Sequence, residues 1–142
     1  MINLNLAPID SLIPHSGSMV LIDQILHSDE TSLNASLTVR GDGLLLGDDQ
    51  QVPAWAGLEY MAQAIACYVG IAAKAQQEPV KMGFLLACRN YQSNQAFFKV
   101  AETLEVQIEK LFQDQALGVF NCQIQGQSIQ ISAKLTVYEA TE

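Results

Sequence analysis

Positive charge is what this chain has least of. Seven Lys plus Arg stand against fifteen Asp plus Glu, a net charge of −8. Phosphate binding needs clustered cations, so this balance argues against nucleic acid as a partner and against adhesion to an anionic membrane surface. Cysteine is also sparse, and Cys67, Cys88 and Cys122 are odd in number and far apart. That pattern fits reduced thiols used as small core residues, not a disulfide framework or a metal site. There are two histidines, His15 and His27, with no Gly-rich phosphate loop and no paired His or Cys spacing. Neither a metal nor another cofactor is therefore expected. The opening MINLNLAPIDSLIP lacks a basic n-region and holds two prolines, so it shows no signal peptide and the expected compartment is the cytoplasm.

What the chain has is apolar mass. About half the residues are hydrophobic (49%) and 15% are charged, the composition of an ordered globular protein. A length of 142 residues suits one domain with one core. Residues 52–72, VPAWAGLEYMAQAIACYVGIA, are apolar on every side of a helix except at Glu59 and Gln63. Those two share one helix face. A carboxylate near the start of a buried helix is costly unless it has a partner or a task. The segment approaches membrane-spanning length, but Glu59, Gln63, two glycines and the lack of flanking basic anchors favour a buried core helix.

Strand patterns flank the helix. Residues 19–26 (MVLIDQIL) are a β-rich run, and residues 31–39 alternate with Leu33, Ala35, Leu37 and Val39 on one face. A Gly- and Asp-rich loop follows, and Pro53 suits the first turn of the helix, which Glu78 and Pro79 should stop. Strands are then expected over residues 83–91, 103–112, 117–125 and 128–138, with a two-residue turn at Gly126. Two strands, a long buried helix and four strands make an α+β order. A helix apolar all round needs a curved antiparallel sheet around it and a second protomer over the rest, the arrangement called the hotdog fold.

Three segments resemble the 3-hydroxyacyl-ACP dehydratases of type II fatty acid synthesis. LIPHSGSMVLID, residues 12–23, is similar to the family's Leu-Pro-His opening and first strand. VPAWAGLEYMAQA, residues 52–64, is similar to its Met-Pro-Gly, four residues, then Glu or Asp. GFLLACRNYQSNQAFFKVAETLEVQ, from Gly83, is similar to its later strands. As a whole the chain most resembles the dehydratase-like proteins of aryl-polyene biosynthesis. One departure stands out. The family's catalytic His lies eight residues before the motif Pro, and counting back from Pro53 reaches Leu45.

Dehydration of a 3-hydroxyacyl thioester needs a base for the α proton, an acid for the departing hydroxyl and donors for the enolate-like oxygen. The resemblance implies that Glu59 assists the hydroxyl, that Gln63 positions it or a water, and that amides near Ala54, Trp55 and Gly57 contact the thioester. Ala54 stands where the family has Gly. His15 is the candidate displaced base, or a structural member of Leu-Pro-His; His27 suits a solvated turn. Arg89 either holds a carrier phosphate or pairs with an acid, while Trp55 and Tyr60 suit a dimer or tunnel wall. The implied substrate is an acyl carrier protein or CoA thioester, and the implied assembly a homodimer or a heterodimer with a related dehydratase subunit. The alternatives are a non-catalytic hotdog subunit that stabilises a His-bearing dehydratase, and an acyl-CoA thioesterase.

Overall fold

A computed structural model describes residues 9–13, 19–41, 51–79 and 83–139. After a 3-10 turn at Ile9–Ser11 come strands β1 (Gln24–Ser28), β2 (Ser32–Thr38) and the short β3 (Val52–Pro53). Another 3-10 turn, Ala54–Ala56, runs directly into helix α1 (Gly57–Ala75). Then follow β4 (Gly83–Ser93), the short β5 (Phe97–Phe98), β6 (Thr103–Asp114), β7 (Leu117–Gln125) and β8 (Gln130–Glu139). Six strands form one antiparallel sheet in the order β1-β2-β6-β7-β8-β4, and β3 pairs with β5 apart from it.

Strand alternation decides which side α1 takes. Leu33, Ala35 and Leu37 of β2, Leu104, Val106 and Ile108 of β6, Phe120, Cys122 and Ile124 of β7, and Ile131, Ala133 and Leu135 of β8 are all buried. They form one core with Met61, Ala64, Ile65, Cys67 and Tyr68 of α1. The alternate residues, such as Gln123, Ser132 and Lys134, face water. By length and composition α1 and its lead-in are apolar enough to cross a membrane, yet most of that window is buried inside the protein. Gly70 is required where the chain crosses the helix, because a Cβ there would overlap the carbonyl of Leu12. Leu12 and Ile13 are themselves buried.

The helix stops before Glu78 and Pro79. Gln77 takes a left-handed φ of 59°, its amide donates to Lys74 O at 3.1 Å, and the Glu78 amide donates to Ala73 O at 2.8 Å. This paired closure is a Schellman cap with Gln in the position usually filled by Gly.

Strand ends shift by a residue or two from expectation, β3 and β5 are additions, and two further differences bear on the packing. The first strand begins at Gln24, not residue 19. Leu21 and Ile22 are buried before it, and the amide of Leu21 bonds a side chain of α1 and not a strand. The turn between β7 and β8 is longer than two residues, spanning 126–129 with Gly126 N donating to Ile129 O at 2.9 Å. The carboxylate of Glu102 sits over Gly126 and accepts the Gln127 amide at 2.9 Å.

At the other end of the sheet β4 is an edge, and nearly every residue in it is exposed. Phe84, Leu85 and Leu86 are exposed to 48%, 39% and 57%.

Candidate active site

Glu59 is the third residue of α1, where the helix macrodipole favours an anion. Its side chain is half-buried. One turn later Gln63 is completely buried and orients it. Gln63 Nε2 donates to Met19 O at 2.7 Å and to Glu59 Oε2 at 3.0 Å, while its Oε1 accepts the Leu21 amide at 2.8 Å. Both amide hydrogens are used, so the oxygen must face Leu21 and the nitrogen must face the carboxylate. Gln63 thus bonds the segment before β1, not a strand, and ties that segment to Glu59.

Arg40 holds the same segment from the other side. Its Nη2 donates to Val20 O at 2.5 Å and lies 3.9 Å from Asp23 Oδ1. Sequence patterning gave no sign of this residue, because it follows a strand and belongs to no motif.

The turn that opens α1 is pinned at several points. Val52 pairs with Phe98 and Pro53 with Phe97. The Ala54 amide, the donor expected to reach a thioester carbonyl, donates to Ala96 O at 2.9 Å. The Ala54 carbonyl accepts both the Gly57 amide and Tyr91 Oη, the latter at 2.6 Å. Gly57 is buried in close packing, since a Cβ there would come within 2.5 Å of Tyr91 Oη and 2.9 Å of Ile124 Cδ1. Trp55 in contrast is 65% exposed, and Tyr60 sits in the protomer's own core, edge-on to Phe98 at 5.4 Å. Burial pushes the Tyr60 phenol up to about 12.

The remaining candidates separate from Glu59. His15 and Leu45 lie outside the described residues. His27 lies on β1 with its ring 3.3 Å from Asp29 Oδ2. Arg89 of β4 stands opposite Lys134, on the sheet face turned away from α1. Burial raises the thiols of Cys67 and Cys122 to about 12, while Cys88 is exposed. Among the described residues no cluster of His, Cys, Asp or Glu is suited to a metal. A cavity of about 220 Å³ lies beside the second half of α1, lined by Ile65, Val69, Lys110, Phe120 and Val137, and Glu59 is not part of it.

A buried amide aiming a carboxylate at the start of a central helix, within this sheet order, can be set beside known proteins. The sequence matches the model of the ApeP-like family, described as ApeP dehydratase, over residues 7–142. The chain belongs to the ApeP-like dehydratase family. Its structure is similar to a chain of the dehydratase heterocomplex ApeI:P from Xenorhabdus doucetiae, with a TM-score of 0.88 and 28% identity over 96% of this chain and 93% of that one. It is also similar to the PaaI protein from the phenylacetic acid degradation operon of E. coli, at 16% identity and a TM-score of 0.60, covering 84% of this chain and 79% of that one. A hypothetical thioesterase from Streptococcus pneumoniae TIGR4, solved with coenzyme A, aligns at 14% identity and 0.56, covering 82% and 84%. These last two likenesses show the hotdog fold alone. No curated protein matches the chain.

Proposed function

We propose that this single hotdog domain, spanning residues 1–142, works in the cytoplasm as one subunit of a 3-hydroxyacyl-thioester dehydratase, acting on carrier-bound acyl chains of fatty acid or polyene synthesis. The observation that carries this reading is the Gln63–Glu59 pair: a fully buried amide spends one hydrogen at 3.0 Å on a carboxylate at the head of the central helix. A carboxyl group fixed in that way is suited to orienting a departing hydroxyl, and in its acid form to giving it a proton. Membership of a dehydratase family supports the reaction class.

The partner is a related subunit that carries the histidine. Position 45 holds Leu where the family's His is expected, and the ApeI:P relative was solved as a heterocomplex. The edge strand β4 suits such a partner. It is eleven residues long, with Phe84, Leu85 and Leu86 exposed and Arg89 its one charge. A long apolar edge left bare is an aggregation hazard that strand pairing removes.

The test is Glu59→Gln, which keeps shape but removes charge and proton. Dehydration of a 3-hydroxyacyl-pantetheine thioester, assayed with a His-bearing partner subunit, should fall on the order of a hundredfold or more, with circular dichroism unchanged. Full activity in the variant refutes a chemical role for Glu59. Together with a partner that is inactive on its own, that result would favour the second reading, a non-catalytic subunit that stabilises the partner.

A further inference from the structure

The turn that opens α1 is held from beneath by the side chain of Tyr91. β4 loses register between Arg89 and Gln92, and Asn90 adopts φ 56° there. Asn is one of the few residues that tolerate this left-handed region. Bulges of this kind re-aim side chains, often beside active sites. Here the bulge carries Tyr91 under the helix start, where its hydroxyl donates to Ala54 O at 2.6 Å. The fit depends on Gly57, since any Cβ at that position would displace the hydroxyl. The same Ala54 carbonyl accepts the Gly57 amide, and the Ala54 amide is bound to Ala96 O. Trp55 and Ala56 lie between these anchors, and Glu59 follows within the first turns of the helix.

We propose that Tyr91 is a positioning residue: its hydrogen bond to Ala54 fixes the opening turn of α1 so that Trp55 and Glu59 are presented in one arrangement. The consequence for catalysis rests on the dehydratase function proposed above, whereas the clamp itself does not. Tyr91 does not supply the proton for the departing hydroxyl. Its own proton is committed to a backbone carbonyl, and burial holds the phenol well above its ordinary value.

Tyr91→Phe tests this directly, because it keeps the ring and removes only the hydroxyl. The chain has one tryptophan, Trp55, so fluorescence anisotropy decay reads this turn and nothing else. In Tyr91→Phe the amplitude of fast local motion at Trp55 should rise at a temperature where circular dichroism is unchanged. Turnover of the pantetheine thioester, with the His-bearing partner present, should lose about three- to tenfold in kcat, the range one hydrogen bond spans. KM should stay within roughly twofold, and the pH profile should not move. Gly57→Ala pushes on the same hydroxyl from the helix side and should give the same change at Trp55. Unaltered Trp55 motion in Tyr91→Phe overturns the clamp. Altered motion with full kcat overturns the positioning role, and a shifted pH profile would make Tyr91 a proton donor instead. Should the parent complex fail to dehydrate at all, the proposed function falls, and the clamp is still decided by Trp55.

Discussion

Gln63→Leu is the substitution that separates the buried amide from mere packing. Leucine matches the shape of glutamine and suits the surrounding core, so the cost comes from three lost hydrogen bonds. Leu21 is buried, and its amide loses its acceptor without water to replace it, a penalty of about 1–3 kcal/mol. Met19 is exposed, so its carbonyl rehydrates at little cost. Glu59 is half-buried; the charge-assisted bond it loses is partly replaced by solvent and is worth about 1 kcal/mol. The sum is roughly 2–4 kcal/mol, which at about 4 °C per kcal/mol for a chain of this size lowers Tm by roughly 8–16 °C. Thermal denaturation followed by circular dichroism measures it. Activity with the partner subunit should fall as well, because the carboxylate is no longer aimed. A Gln63→Leu protein as stable as its parent would refute the assignment of this amide as the tie between α1 and the segment before β1.

Other consequences are checked as simply. Gln77 pays the steric cost of a left-handed conformation at the helix cap, so Gln77→Gly should raise stability by up to about 1 kcal/mol in urea denaturation. Asp29 accepts the amides of Thr31 at 2.9 Å and Ser32 at 2.8 Å in the β1–β2 turn. The Thr31 amide foremost, then the Ser32 hydroxyl and the His27 ring, with a smaller part from the Ser32 amide, lower its carboxyl from 3.8 to about 2. A depressed carboxyl stabilises the fold above the unfolded pKa and loses that contribution as pH falls through the folded one. Chemical shifts of the Thr31 and Ser32 amides should therefore move between about pH 4 and 2, and Asp29→Ala should abolish that movement. A thiol reagent at neutral pH should label Cys88 alone, since Cys67 and Cys122 are buried and Cys88 is exposed. All three should react once the protein unfolds, and if β4 is the docking edge the partner should slow labelling at Cys88.

The sheet was legible because its signal is periodic. Leu33, Ala35 and Leu37, or Ile131, Ala133 and Leu135, alternate with polar neighbours, and that spacing alone assigns the buried face. The helix α1 was legible for a different reason, the length of an apolar run broken only by Glu59 and Gln63. Residues 19–21 misled because their apolar content matches a strand, while their hydrogen bonds go to Gln63 and Arg40, which the local pattern does not see. Glu59 and Gln63 were visible as a polar pair on an apolar helix. The grip of Tyr91 on Ala54 was not, because it depends on a bulge at Asn90 that aims a ring across 37 positions of sequence.

Gly70 carries a consequence for the order in which the molecule assembles. The groove in which Leu12 rests is the notch left by that missing side chain, and the notch exists only once α1 has coiled. Residues 9–13 are therefore expected to dock onto a helix already built and to be the first piece to lift away. Native proteins open in parts, and the segment expected to open first here covers the helix without belonging to its sheet. Limited proteolysis near residue 13, at conditions where the sheet amides stay protected from exchange, is how that opening would announce itself.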